Sequence, residues 1–471
     1  MIWDLEKYAE RTALVEGDRK VSYAELKAVG DGLTGKMRSR SLAFILCRNT
    51  TELVAGYVAF LNYGVVPLML DGKLPEAVLQ GMIEAYHPAY IYLPKERAGE
   101  PAAYKELCMM DRYALLEAEQ PEPCAMDDEL ALLISTSGST GSSKLVRLSY
   151  KNIEANTRSI IEYLGITKEE RAITSLPMNY VYGLSVLNTH LYAGASLLMT
   201  EDNCYVKNFW KLFEENNATS FAGIPFMYET LHRLGFEKKT VPGLKTMTQA
   251  GGKLSPEMQD LFAKYARENG IRFFVMYGAS EATARMGYLP PERSLEKRGS
   301  MGIAIPGGRF EVIDTEGKRI DTPQESGELV YYGDNVSLGY ANGPQDLAAG
   351  DERCGRLETG DIACFDEDGY YYIVGRKSRF IKLMGKKLNL AELEELLKKQ
   401  FGTLDIACAG KDDALEVYMT DASIKEAVGE YLFAEMKMNR HLFRLCVISA
   451  IPKNSSGKTL YAELKPERSV L

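Results

Sequence analysis

The chain has 471 residues, 46% hydrophobic and 26% charged, which suits a large globular protein that needs no disulfide or metal staple. Its formal net charge of −9 excludes a general nucleic-acid binder, which would need a basic footprint. Eight cysteines without a C-x-x-C pair, and four scattered histidines, give neither a zinc site nor a disulfide framework and predict reduced, buried thiols in a cytoplasmic protein.

The first residues, MIWDLEKYAE, carry early acids and no apolar segment, so no signal peptide is expected. Two uncharged runs, Leu53–Leu70 and Val181–Thr200, imitate membrane spans. Asn62, Gly64 and Pro67 interrupt the first; Asn188, His190 and Gly194 interrupt the second. Each is predicted as a helix, a glycine break and a short buried strand, so no membrane span is expected. Further strands are predicted at Leu42–Leu46, Ala89–Leu93, Leu130–Thr136, Ala172–Leu176 and Phe273–Tyr277. Helical patterns fall at Asn152–Tyr163, Trp210–Asn216 and Pro256–Arg267. This alternation predicts an α/β fold with parallel sheets covered by helices.

After Gly299 the strands come at short spacing: Arg309–Ile313, Gly327–Tyr332, Asp361–Phe365 and Tyr370–Val374, with Gly-rich acidic turns. That pattern predicts a barrel-like β subdomain. Beyond Gly375 a small α+β unit is expected, with helices at Leu390–Lys399 and Ser423–Phe433 and strands at Leu404–Ala409 and Leu415–Met419. The organisation is thus a large domain over 1–375 and a small one over 376–471. Arg376–Leu471 holds 17 Lys and Arg against 13 Asp and Glu, net +4, which leaves −13 on the large domain. The densest basic stretch, Arg376–Lys387, has six basic residues in twelve and no acid. By itself such a run is a solvated face.

The segment Leu132–Tyr150, LLISTSGSTGSSKLVRLSY, runs from an apolar strand into small hydroxyl residues and glycines. Backbone N–H groups and hydroxyls of Thr136, Ser137, Gly138, Ser139, Thr140 and Gly141 can converge on an anion, and Lys144 adds charge. The P-loop pattern fails here, because its sixth position after Gly138 is Ser143. It fails again before Lys458, because Pro452 stands where a glycine is required. The chain therefore carries polyphosphate chemistry without a P-loop.

Five motifs in order resemble the adenylate-forming (AMP-binding) superfamily of acyl-CoA synthetases, amino-acid adenylation domains and luciferases. They are Ser135–Lys144, Tyr277–Gly278–Ala279–Ser280–Glu281, Glu358–Thr359–Gly360–Asp361, Gly375–Gly385 and Pro452–Lys458. The resemblance implies that a carboxylate attacks the α-phosphorus of ATP to give acyl-AMP and pyrophosphate. A thiol then takes the acyl group: CoA, or the phosphopantetheine of an acidic acyl carrier protein. It places Lys458 on the α-phosphate as a catalytic cation and Glu281 on Mg2+. Tyr277 would lie against the adenine, and Gly278, Ala279 and Ser280 would line the nucleotide. Gly251 and Gly252 would form a turn beside the adenine, Asp361 would accept from the ribose, and Arg376 would donate to ribose or phosphate. The acyl pocket falls on Tyr180, Val181, Phe226, Ala250 and Met276. A mobile C-terminal lid would hinge near Ser378 and bring Gly385 to the pantetheine tunnel. The leading reading is an AMP-forming acid–thiol ligase acting on a small carboxylic acid. A carrier-protein loading enzyme, a non-catalytic adenylate binder and an ADP-releasing kinase are the alternatives.

The chain departs from the pattern in places. Ser143 replaces the usual proline of the phosphate loop, Ser378 replaces the usual hinge Asp or Lys, and Tyr180 stands where many acyl-CoA synthetases carry His. No clear aspartate is placed to pair with an α-amino group.

Overall fold

The two uncharged runs fold as helix, glycine and strand because each helix is buried on every face. Thr51–Tyr63 is buried from Thr51 through Leu61, ends at Gly64 and leads into the strand Val66–Asp71. Val181–Ala193 is buried through Leu191, ends at Gly194 and leads into Ser196–Leu198. The computed structural model describes residues 2–122, 124–135, 144–383, 386–403, 405–453 and 459–465. Among these, no helix is long and apolar enough to cross a membrane.

Two large sheets carry the N-terminal part. One has nine strands in the order Ile303–Ala304, Gly287–Leu289, Arg272–Tyr277, Thr246–Gln249, Ser220–Gly223, Arg171–Ile173, Ser196–Leu198, Thr12–Glu16 and Arg19–Ser22. The other has eight, in the order Gly339–Ala341, Leu145–Ser149, Leu130–Ser135, Val66–Asp71, Leu42–Cys47, Tyr90–Pro94, Tyr113–Ala118 and Tyr104–Met109. The centres of both are parallel, as helix crossovers require. The edges are antiparallel, because strands such as Thr12–Glu16 and Arg19–Ser22 are joined by short turns. The expectation of parallel sheets therefore holds for the interior and is corrected to mixed sheets at the margins. One apolar core includes side chains from both sheets and from both buried helices.

The closely spaced strands after Gly299 form a four-stranded meander in chain order: Arg309–Ile313, Gly327–Tyr332, Arg356–Phe365 and Tyr371–Arg376. The chain separates into two compact units, Met1–Phe310 with Tyr331–Leu357, and Glu311–Val330 with Glu358–Leu471. The second unit contains the helix Leu390–Phe401 on a three-stranded sheet of Ile406–Lys411, Ala414–Met419 and Phe443–Val447. The last of these strands is half-exposed and only five residues long, which hides it in the sequence. The single helix expected over Ser423–Phe433 is broken into Ala422–Ile424, Lys425–Glu430 and a wide turn Tyr431–Glu435, with Val428 and Leu432 still facing the core. The cysteines are all free, but not all are buried: Cys354 is exposed and Cys108, Cys124 and Cys364 are intermediate.

Arg147 is the one basic residue in the strand Leu145–Ser149, and its side chain is 0% exposed. Its guanidinium donates to the carbonyls of Tyr340 at 3.1 Å and Leu338 at 3.4 Å, and to Ala349 O, and it pairs with Glu352 at 2.7 Å. These bonds tie the edge strand Gly339–Ala341 and the loop after it to the sheet. Removing the guanidinium strands buried acceptors, at a cost of about 3 kcal/mol. Arg147→Met should lower the unfolding free energy by about that amount in urea titration; an unchanged midpoint and slope would contradict this role.

Candidate active site

The strand Arg272–Tyr277 ends in a turn whose geometry begins with Gly278. A Cβ at position 278 would lie 1.8 Å from the carbonyl oxygen of Ala284, so no side chain fits. The chain then makes a short turn over Ser280–Ala282 and passes Thr283 at φ 66°. That conformation is strained for a β-branched residue and persists only if its surroundings hold it. Here they do. Thr283 Oγ1 donates to Asn335 O at 2.7 Å. Asn335 Nδ2 donates to Ala282 O and Arg285 O, both at 2.9 Å, while its Oδ1 accepts from Tyr331 at 2.9 Å. Asn156 donates to Arg285 O at 2.9 Å, and Ser337 N donates to Glu281 O at 2.9 Å.

Asn156 belongs to the helix Tyr150–Leu164, whose N-terminus is closed by a reciprocal Ser149–Asn152 cap. Asn152, one turn earlier, donates to Asp334 O and Val336 O at 2.7 Å. Two asparagines at i and i+4 thus fix both loops of the site from one helix face.

Glu281 presents its carboxylate to Tyr340, which donates to Oε1 at 2.7 Å. Burial, and the carboxylate beside it, push the Tyr340 phenol above its ordinary range. Lys144 Nζ lies 5.4 Å from the Tyr340 ring centre and the Arg353 guanidinium 4.8 Å from it. A half-buried carboxylate is a hard oxygen donor suited to Mg2+. Tyr277 is half-buried, with its ring 6.2 Å from that of Phe310, and Gly278, Ala279 and Ser280 are half-buried beside it.

Gly251 has φ 85°, and a Cβ there would lie 2.8 Å from the Tyr180 hydroxyl, so glycine permits the tyrosine to close on this turn. Gln249 braces the turn by donating to Gly252 O at 2.9 Å. Met276 lines an internal cavity together with Tyr182, Ser185, His190, Thr248 and Arg285. Ala250 and Val181 are buried, and Val181 packs in the main core. The helix Pro225–Arg233 turns Met227, Tyr228 and Leu231 inward, which leaves Phe226 48% exposed against Tyr205.

In the second unit Asp361 and Arg376 face each other across the pair Arg356–Phe365 and Tyr371–Arg376, and Arg376 Nε meets Asp361 Oδ1 at 2.9 Å. The Asp361 side chain is 8% exposed, whereas that of Arg376 is 59% exposed. Ser378 lies exposed in the turn Lys377–Arg379. Lys453 pairs with Thr459, and Tyr461 hydrogen-bonds the buried Glu394 at 3.2 Å. Thr136, Ser137, Gly138, Ser139, Thr140, Gly141, Gly385 and Lys458 lie outside the described residues.

Arg285, Tyr340, Asn335 and Asn156 were not legible as site residues in the sequence. Arg285 had a signal: it is the lone charge in Ala282–Pro290. The spacing of Asn152 and Asn156 was another.

A family model described as AMP-binding enzyme matches residues 2–341. The 2-succinylbenzoate–CoA ligase of Bacillus subtilis (strain 168) is 26% identical over 477 residues, covering 98% of this chain and 96% of that protein. A 4-coumarate–CoA ligase-like protein of Arabidopsis thaliana is 27% identical over 361 residues, covering 73% of this chain and 63% of that protein. The fold is similar to O-succinylbenzoate coenzyme A synthetase from Bacillus subtilis in complex with AMP, with TM-score 0.77, 23% identity and 98% coverage of each chain. It is also similar to ATP-bound MatB from Rhodopseudomonas palustris, with TM-score 0.77, 21% identity and coverage of 96% and 95%.

His190, in the cavity wall, has its Nδ1 2.8 Å from the Val186 carbonyl, so that nitrogen carries the proton. Burial lowers its pKa from 6.5 to about 4. The folded state resists protonation there, so this contribution is intact above pH 6.5 and is lost as pH falls from 6.5 toward 4. The loss amounts to about 3 kcal/mol. His190→Gln should flatten the stability profile across that window, measured by urea unfolding at successive pH values. An unaltered slope would contradict a neutral buried imidazole.

Proposed function

The chain belongs to the AMP-binding enzyme family, and we propose that it activates a small carboxylic acid with ATP and passes the acyl group to coenzyme A. The observation that carries this reading is the Tyr277–Glu281 turn, where an aromatic ring and a carboxylate stand on one rigid turn at a strand end. A ring there can cover a purine, and Glu281 supplies the hard oxygen that would hold Mg2+, which would draw charge from the phosphates.

In the first half-reaction a carboxylate oxygen of the acid attacks the α-phosphorus, the bond to the bridging oxygen breaks, and pyrophosphate leaves. Lys458 stabilises the charge that gathers on the α-phosphate. The phosphate loop of Thr136–Gly141 with Lys144 holds the β- and γ-phosphates. Asp361 accepts from the ribose hydroxyls, and its cross-strand bond to Arg376 keeps it oriented. In the second half-reaction the CoA sulfur attacks the acyl carbon and AMP leaves. Residues 376–471 serve as the lid, turning near Ser378 so that the Gly385 loop replaces Lys458 at the site. The CoA-ligase names of the relatives favour coenzyme A over a carrier protein as acceptor.

A panel of acids should give acid-dependent exchange of labelled pyrophosphate into ATP, with AMP and not ADP as product. Lys458→Ala should slow that exchange by roughly 100-fold or more. ADP formation would favour a kinase, and full exchange in the variant would remove Lys458 from its role.

A further inference from the structure

Tyr340 stands on the edge strand Gly339–Ala341, and that strand is fixed from several sides. It pairs with Leu145–Ser149, where Tyr340 lies opposite Val146. The buried Arg147 guanidinium donates to Leu338 O and Tyr340 O and pairs with Glu352, next to Arg353 in the chain. Gly339 has φ 140°, and a Cβ there would lie 2.1 Å from a Glu352 carboxylate oxygen, so the strand sits tight against this ion pair. Ser337 N donates to Glu281 O at 2.9 Å, which bonds the approach to the strand directly to the Glu281 turn. Tyr340 and Glu281 therefore meet across two backbones that hold each other.

The hydroxyl between them has one hydrogen to give. The Arg353 guanidinium lies 4.8 Å from the Tyr340 ring centre, and its side chain also engages that hydroxyl. A guanidinium carries donors and no acceptor, so toward the phenol oxygen it can only donate. The phenol hydrogen is thereby left to Glu281, whose Oε1 accepts it at 2.7 Å. Glu281 Oε2 accepts from none of the described residues. One carboxylate oxygen is thus occupied and the other is left for a hard cation. A single protein carboxylate suffices for Mg2+ when phosphates supply further oxygens.

Resting on the function proposed above, we propose that Tyr340, backed by Arg353, is a positioning residue whose hydroxyl orients the Glu281 carboxylate and so sets how much Mg2+ strengthens ATP binding. A free glutamate loses rotamer freedom when its carboxylate binds a metal. A hydrogen bond that fixes the carboxylate beforehand removes that cost from the binding step.

The test is calorimetric titration of the full chain with ATP alone, without acid or thiol, in Mg2+ and in EDTA. The ratio of the two dissociation constants reads the contribution of the metal, whereas a merely structural role would shift both constants together. The wild type should bind ATP more tightly in Mg2+, and Glu281→Gln should abolish most of that gain. Tyr340→Phe should cut the gain by roughly 10-fold and leave the constant in EDTA unchanged. In the double variant the phenylalanine should add no further loss, because the hydroxyl acts through Glu281. If Tyr340→Phe does not fold, Arg353→Leu, which frees the hydroxyl to rotate away, decides by the same ratio. An unchanged ratio in Tyr340→Phe, equal losses with and without Mg2+, or additive losses in the double variant would overturn the positioning role and leave the ligase reading standing. No effect of Mg2+ on the wild type, or full retention of the gain in Glu281→Gln, would overturn Glu281 as the metal ligand and the positioning role with it.

Discussion

The carbonyl of Ala284 approaches the backbone at position 278 so closely that only glycine can stand there, and the rest of the site depends on that approach. The turn it closes has two outputs. Glu281 accepts from Tyr340, whose ring lies near Lys144 and Arg353, whereas Arg285 stacks on the buried Tyr182. One turn therefore presents a carboxylate to a tyrosine hydroxyl and a cation to a buried aromatic ring. The left-handed Thr283 in its middle costs on the order of 1–3 kcal/mol. Several hydrogen bonds from Asn335, Asn156 and Ser337 offset that cost and leave the turn a single shape.

Charge is distributed by the same logic. A bulk figure of −9 argues against nucleic acid, but it is the sum of an acidic N-terminal region and a basic C-terminal one. The basic residues near Arg376 are largely exposed, whereas Asp361, which Arg376 meets, is nearly buried. A buried carboxylate held by an exposed arginine keeps its acceptor oxygens ordered for a hydroxyl donor. The proposed nucleotide chemistry thus draws on preorganised ion pairs rather than on net charge.

Much of the fold was legible in the sequence because helix and strand periods differ and because glycines mark the breaks. Gly64 and Gly194 turned two apparent membrane spans into buried helices with buried strands. The edge strands were harder, since antiparallel margins carry shorter and less apolar runs, as Phe443–Val447 shows. Motif positions singled out Tyr277, Glu281, Asp361 and Arg376. They could not reveal Tyr340, which lies 59 positions from Glu281 and meets it only through sheet pairing. Nor could they show that Phe226 stands on the exposed face of its helix, because the burial of a helix face is set by packing that a motif does not encode.

The central claim is that the acid's own oxygen becomes part of AMP. Turnover of acid labelled with 18O in its carboxylate, with unlabelled ATP and CoA, tests it by mass spectrometry of the products. The account predicts one labelled oxygen in each AMP formed and none in pyrophosphate. Label in inorganic phosphate with ADP as co-product, or AMP free of label, would contradict it.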